Sequence, residues 1–356
     1  MAFDPHREDY QRMGLRFARA LDGESPAQAA RSFAAFGRRF AQNRDGLPQT
    51  DEDRAFHLVA KATTLIDYEL PFTDDEHAER LIAQGHAMLD EALKLDPQNP
   101  DALRMKMAAG IPNFEGYYDY LASEAEGVRE RCERRRHKAR SIPGEERSAL
   151  AAQIALYPYL RWLASLASRA VVCGHNHDAI SHARRALELD PTDQADARFT
   201  AYLAFAKLED AAGLEALART TGRTAVRGAT PADAWLAITR CALAYKRLQL
   251  DEADHQLDLL AKAYPHAAVT LCAQRELPDG VFARLAVAPF SEDELILAVS
   301  EATVLLQEGR DARARGAFGS WVMGRMEPRM TPAERTALEL ARSQHPNGDR
   351  YGTPNA

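Results

Sequence analysis

The sequence predicts an all-α chain assembled from helical hairpins, and three observations carry that prediction. A phrase is repeated: Leu-Asp-Glu-Ala-Leu-Lys-Leu-Asp-Pro at 89–97 returns as Ala-Arg-Arg-Ala-Leu-Glu-Leu-Asp-Pro at 183–191, so that Ala92, Leu93, Leu95, Asp96 and Pro97 match Ala186, Leu187, Leu189, Asp190 and Pro191. An apolar helix stopped twice by Asp-Pro is the mark of a repeated helical unit, because proline cannot continue the helix. Strong helix formers (Ala, Leu, Arg and Glu) fill almost every segment, and alternating runs of β-branched and aromatic residues are missing. The one strand-like stretch, Leu295-Ile296-Leu297, continues through Ala298, Val299, Ala302, Leu305 and Leu306 at helical spacing, behind a Ser291/Glu294 capping-box pattern.

Taken in order, residues 6–21 and 26–43 read as two helices, the second started by Ser25 as N-cap and Pro26 at the first helical position. They match no repeat, so residues 1–50 are expected to form an N-terminal cap or docking element. Residues 51–343 are expected to form the repeat domain. Its first hairpin pairs 53–69 with 75–95 across Leu70-Pro71-Phe72-Thr73-Asp74. An irregular insertion near 110–148 comes next, holding a helix over 116–140 bounded by Gly110-Ile111-Pro112-Asn113 and Ser141-Ile142-Pro143-Gly144. Further pairs are expected at 146–172 with 176–189, within 194–221, within 231–264 and within 291–324, the last turning at Gly309. A short helix from Pro332 to about 343 and a turn-rich, flexible tail over 344–356 complete the chain.

At 356 residues, 46% hydrophobic and 27% charged, the composition is that of a folded soluble protein, and a repeat array suits the length because each unit packs only on its neighbours. A net charge of −7 excludes global attraction to nucleic acid or an anionic membrane. Cys132, Cys173, Cys241 and Cys272 are scattered without a Cys-x-x-Cys pair, which points to reduced thiols. The N-terminus is charged from its start and no stretch approaches the roughly 18 apolar residues of a membrane span, so a cytoplasmic protein is expected.

Counting back from Pro191 places Ala186, Ala179, Ala167 and Leu166 at the small and apolar positions of a 34-residue unit, and Trp235, Ala244, Ala253, Leu257 and Tyr264-Pro265 repeat the arrangement. In these residues the chain resembles the tetratricopeptide repeat superfamily over roughly 53–325, most clearly at 85–104, 156–198 and 231–265. The resemblance implies a right-handed α-α superhelix of antiparallel helical hairpins whose concave groove binds a peptide or another protein. The groove is lined by the first helix of each hairpin. It would hold Arg161, Ala164 and Ser168 in one unit, Arg198, Tyr202 and Phe205 in the next, and Trp235, Ile238, Ala242, Tyr245 and Lys246 in the third. Arginine and aromatic residues combine large contact area with a directed polar end, as binding hot spots do. Apolar residues at helical spacing ordinarily mean core, and Trp235 and Phe205 read that way first. The carboxylate clamp known in part of this superfamily needs Lys and Asn where this chain has Ala164, Ser165 and Ser168.

Two other clusters stand out. Cys173, His175, His177 and His182 have zinc-like chemistry, but they straddle a tight turn where Gly174 and Asn176 serve the backbone, so no metal is expected. The basic run holding Arg131, Arg134, Arg135 and Lys138 is diluted by Glu124, Glu126, Glu130 and Glu133 and reads as a solvated helix end. No phosphate-binding Gly-rich loop, nucleophile elbow or His-Glu-x-x-His is present. The expected function is therefore non-enzymatic, without cofactor: a scaffold binding a protein or peptide, with homodimerisation allowed. The alternative is a regulator that meets nucleic acid, the less favoured partner, or an acidic factor through the basic helix 129–140.

Overall fold

The computed structural model describes residues 4–73, 75–228, 230–277, 283–309 and 316–344. Among them are seventeen α-helices, joined by short 3-10 and π turns, and no strand. The chain divides into two compact units, residues 1–111 with 119–162 and residues 112–118 with 163–356. The expected tail falls outside the described residues apart from Gln344, which ends the last helix.

In the first unit, α1 (Pro5–Ala20) and α2 (Pro26–Asn43) start as the sequence dictates. Each has proline in the first turn behind a capping side chain, Asp4 accepting from the His6 and Arg7 amides and Ser25 from the Gln28 amide. A core of Met13, Phe36 and Leu47, flanked by Phe17, Phe33 and Phe40, joins them. The sequence places a boundary at residue 50, but α1 packs on α3 (Asp51–Thr63), so the first fifty residues share one compact unit with the helices after them. Thr50 and Asp53 cap α3 reciprocally.

Helix α3 pairs with α4 (Asp75–Leu95) as the expected first hairpin, around Ala55, Val59, Ala62, Leu89 and Ala92. Between them the chain widens into a six-residue π segment, Thr64–Glu69. Gly85 permits it, since a Cβ there would lie 2.5 Å from Ile66 Cδ1. Helix α5 (Pro100–Gly110) comes next, capped by Asn99. Helices α6 (Phe114–Arg140) and α7 (Glu145–Val172) give residues 119–140 and 145–162 to this unit and their other ends to the second. Within the first, Trp162 Nε1 donates to the Leu121 carbonyl at 2.8 Å. Pro158 stands inside α7 and leaves the Ile154 carbonyl without its usual helical donor.

The second unit continues with α8 (Asn176–Leu189), α9 (Ala197–Lys207), α10 (Ala211–Thr224), α11 (Ala234–Lys246) and α12 (Leu250–Ala263). Pairs α8/α9, α9/α10, α9/α11 and α11/α12 are in contact, the nearest-neighbour order of stacked hairpins. Residues 197–206 are buried without a break, and α11 is nearly as enclosed. Such helices are surrounded by neighbours on every side. Ala197, Ala201, Ala204 and Ala206 in α9, and Ala234, Ala237, Ala242 and Ala244 in α11, let neighbours approach closely.

The turns repeat at the level of single hydrogen bonds. After α7, α9 and α11 a left-handed residue appears, Gly174 (φ 85°), Glu209 (φ 58°) and Leu248 (φ 60°). Each time the next amide reaches back five residues, His175 to Ala170, Asp210 to Phe205 and Gln249 to Ala244, at 2.7, 3.0 and 2.9 Å. This is the Schellman helix ending, whose left-handed position glycine fills without strain. Leu248 occupies it while 82% exposed, so its side chain gains almost nothing from packing. Leu248→Gly is therefore expected to stabilise the protein by about 0.5–1 kcal/mol in urea unfolding; equal or lower stability would contradict the strain argument.

The C-terminal segment holds α13 (Ala267–Ala273), a 3-10 turn at Ala283–Leu285, α14 (Glu292–Glu301), α15 (Thr303–Leu306), α16 (Ala317–Met326) and α17 (Pro332–Gln344). The hairpin expected over 291–324 is present as α14–α15 and α16, with Gly309 left-handed at φ 73°. Its placement differs from a simple closing unit, because α14 lies on α11 and α15 on α9.

Candidate functional site

The residues expected to line a groove fall into separate environments. Arg161 lies in the first unit, buried, with Nε and Nη2 on the two Asp101 oxygens at 2.7 and 2.6 Å and Nη1 on Glu8 at 2.7 Å. Burial pushes the Asp101 carboxyl up, and the charge and hydrogen bonds of Arg161 overcome this to hold it below the usual carboxylate range. Beside this cluster Arg44 grips Asp9 with two hydrogen bonds and His57 Nδ1 meets the same carboxylate at 2.8 Å. Arg161 is thus an internal clamp and not a groove residue.

Arg198, Tyr202 and Trp235 are also corrections to an open groove, since each is fully buried. Tyr202 points to its own hairpin partner, its hydroxyl 3.2 Å from Thr221 Oγ1, and burial pushes its phenol up to about 12. Phe205 turns the same way, against Gly213, where a Cβ would come within 2.4 Å of its ring. Arg198 folds back on the loop before α9. Two aspartates in left-handed conformation, Asp193 and Asp196, both at φ 50°, accept from its Nη1 at 2.7 and 3.0 Å. Asp193 also accepts from the Ala197 amide at 2.7 Å and so caps α9. The Arg198 guanidinium lies 4.2 Å from the centre of the Phe199 ring, and Phe199 stacks on Trp235 at 4.1 Å.

The face of α9 that meets the C-terminal segment is rotated by about two residues from the expected one. Thr200 and Lys207 carry it. On α11 the expected Trp235, Tyr245 and Lys246 do face the C-terminal segment, which covers them. Trp235 Nε1 donates to Glu301 at 2.9 Å, the Tyr245 ring lies 5.2 Å from both Phe318 and Trp321, and Lys246 Nζ reaches Glu308 at 2.8 Å.

Around these residues runs a line of charge pairs, all within the second unit. Glu294 accepts from Tyr264 Oη at 2.9 Å and from the Phe290 amide at 2.6 Å, and faces Arg227 Nη2 at 3.3 Å. Ser291 caps α14 as the sequence predicts, but the Glu294 side chain serves Tyr264 and Phe290. Burial, reinforced by Glu294 and Asp233, pushes the Tyr264 phenol up, which keeps it a donor. Arg284, 1% exposed, holds Glu301 through two hydrogen bonds, the Asp196 carbonyl at 2.9 Å and Thr200 Oγ1 at 3.0 Å. At the far end Lys207 and Lys246 share Glu308, each at 2.8 Å. Sequence reasoning misses Lys207, Arg227, Arg284, Glu301 and Glu308. The signal available there is the seven-residue spacing of Glu294, Glu301 and Glu308.

Asp233 joins the N-terminal end of this line, capping α11 through the Leu236 amide at 3.0 Å. Burial pushes its carboxyl up to about 6, with Glu294 and Asp196 adding to the rise and Arg198 opposing it. A folded-state pKa above the unfolded value favours the fold while the group is protonated, and that contribution is lost as pH rises from about 4 through about 6. Asp233→Asn keeps a capping oxygen and cannot ionise. The variant is expected to gain roughly 2–3 kcal/mol relative to wild type between pH 4 and pH 7; a stability difference that stays flat with pH would refute this.

The remaining clusters carry less. Arg134 pairs with Glu130 at 3.4 Å, Arg135 with Glu52 at 2.9 Å and Arg129 with Glu126, while Lys138 is exposed and Arg131 half-buried. The basic run is interleaved with its own counter-charges. His175 Nε2 bonds Glu115 at 2.7 Å and its ring stacks on Tyr118 at 4.9 Å, while His177 is exposed and burial lowers the His182 pKa. Among the described residues no group of three or more His, Cys, Asp or Glu is placed to hold a metal ion, and none of the helices is long and apolar enough to cross a membrane. All four cysteines are free thiols, and burial pushes Cys132 up to about 11. No protein-family model matches the sequence, and neither a curated protein nor a solved structure matches it.

Proposed function

We propose that this chain is a non-enzymatic scaffold that binds a protein or peptide on the joint face of α9 and α11. We also propose that its hairpins form a tetratricopeptide-like superhelix. The supporting observation is how that face engages a helical segment. It uses an indole N–H and two lysines at set places along α9 and α11, each directed at a carboxylate, and the Tyr264 phenol after α12 meets a third carboxylate beside them. Such groups give a binding surface orientation and register in addition to contact area.

Affinity capture from native lysate with wild type and with Tyr245→Ala/Lys246→Ala tests the reading. Both side chains are half-buried, so helical content is expected to survive their loss. A specific partner captured by wild type and lost in the variant supports the scaffold. A partner retained by the variant, or none captured by either, refutes the α9/α11 face as the binding surface.

A further inference from the structure

Glu294, Glu301 and Glu308 are separated by seven residues each. Glu294 and Glu301 stand two turns apart on α14, about 10 Å, and Glu308 follows in the turn after α15. Three different places on the hairpins meet the three carboxylates, in matching order. The Tyr264 hydroxyl that donates to Glu294 also accepts from the Ala234 amide, where α11 begins. Trp235 on the first turn of α11 takes Glu301, and Lys246, its last residue, takes Glu308. The segment 291–308 therefore follows α11 in order, one carboxylate to a rung, its first two carboxylates meeting the start of that helix at Ala234 and Trp235 and its third meeting the last residue, Lys246.

The last rung is made by the repeat itself. Lys207 and Lys246 each stand two residues before the left-handed residue that ends their hairpin turn, Glu209 and Leu248. Equivalent positions of successive repeats thus converge on one carboxylate. This rung is also the most open: the Glu308 side chain is 40% exposed and the two lysines 19% and 17%, whereas the Glu294 side chain is 8% exposed. Between rungs, Leu295, Ala298, Ala302 and Leu305 supply a buried apolar stripe. An apolar stripe alone accepts many helices, and charges at fixed intervals select among them.

We propose that the α9/α11 face is a receptor for an acidic amphipathic helix of a partner protein bearing carboxylates seven residues apart, and that residues 291–308 hold this face in cis as an internal competitor. The proposal rests on the scaffold reading above and specifies its ligand. Exchange starts at the Glu308 rung, where the contact is solvent-exposed and polar, and proceeds toward Glu294. A partner helix gains access by taking over the two lysines first.

The test uses the full chain and a fluorescent peptide copying residues 288–309, read by anisotropy at low salt. Glu308→Lys sets like charges against Lys207 and Lys246 without touching Arg284. It is expected to speed amide hydrogen exchange over 303–309 and to raise peptide affinity about tenfold over wild type, as the competing internal state loses population. A peptide with all three glutamates changed to glutamine is expected to lose that gain. Adding Lys207→Glu and Lys246→Glu to the chain is expected to abolish it. Because the apolar stripe also holds the segment, Leu305→Ala/Glu308→Lys serves as a second, more open variant. No peptide binding by either variant overturns the proposal, as does equal binding of the glutamine peptide. Self-association of the variants through 291–308 also overturns it, since a second copy would then be the occupant. If the peptide fails while a lysate partner is still lost in Tyr245→Ala/Lys246→Ala, the acidic-helix ligand is refuted and the scaffold stands.

Discussion

Arg284→Ala is expected to destabilise the second unit by about 3–5 kcal/mol, among the largest effects of any single substitution in the chain. The guanidinium is 1% exposed and joins elements distant in sequence: Glu301 on α14, the Asp196 carbonyl before α9 and Thr200 on α9. It also lies 5.6 Å from the centres of the stacked Phe199 and Trp235 rings. Alanine removes the counter-charge of Glu301, strips the donors from Asp196 and Thr200 and leaves a void beside two aromatic rings. The cost of the void and that of the orphaned charge are separable. Arg284→Met refills much of the volume and leaves the carboxylate uncompensated, while Arg284→Met with Glu301→Leu removes the charge as well. Replacing a buried ion pair by apolar groups of similar size is often close to neutral, so the double variant is expected to recover more than half of the loss. Urea unfolding followed by circular dichroism measures both. A cost below about 1 kcal/mol for Arg284→Ala would show that the pair is not buried in solution.

Arg161→Ala is expected to have a similar effect on the first unit, about 3–5 kcal/mol at pH 7, but with a pH dependence of its own. Asp101 and Glu8, 3% and 2% exposed, both depend on this guanidinium, and Glu8 also has Arg12 at 2.7 Å. In wild type the Asp101 pKa is held below its ordinary value, so the contribution of the pair is present above the unfolded carboxylate pKa and is lost as pH falls toward the folded one. Without Arg161, burial acts on Asp101 with its main opposition gone and favours its protonated form. The variant is therefore expected to be hurt most near neutrality, with the gap to wild type narrowing as pH falls from 7 to 4. A gap that widens on acidification would refute the role of Arg161 as the charge partner of Asp101.

The two substitutions also show why part of the candidate site is illegible in the sequence. Arg161 and Arg198 read as groove arginines because they recur on first helices of hairpins, and both are internal clamps on aspartates. For α9 the cause is specific. Ten consecutive buried residues leave no solvent-exposed side to set the helix rotation. Arg198, Tyr202 and Phe205 share one face by spacing, yet the face that meets the C-terminal segment carries Thr200 and Lys207. For α11, what the sequence hides is that Trp235, Tyr245 and Lys246 meet Glu301, Phe318, Trp321 and Glu308 of the same chain.

What the sequence determined by itself is local. Helix starts derive from Asp4-Pro5, Ser25-Pro26, Thr50 with Asp53, and Asn99-Pro100, since the capping oxygen and the proline act within one turn. The helical pairing around the repeated Ala-Leu-x-Leu-Asp-Pro phrases, and the reading of 295–306 as helix, likewise rest on contacts a few residues long. The tertiary structure alone decided which buried charges meet. Arg44 and Asp9 are 35 residues apart, Arg161 and Asp101 60, and Arg161 and Glu8 153. No periodicity spans such distances. These pairs form because burial makes an unpaired charge intolerable, and only the packed chain determines which opposite charge lies within reach.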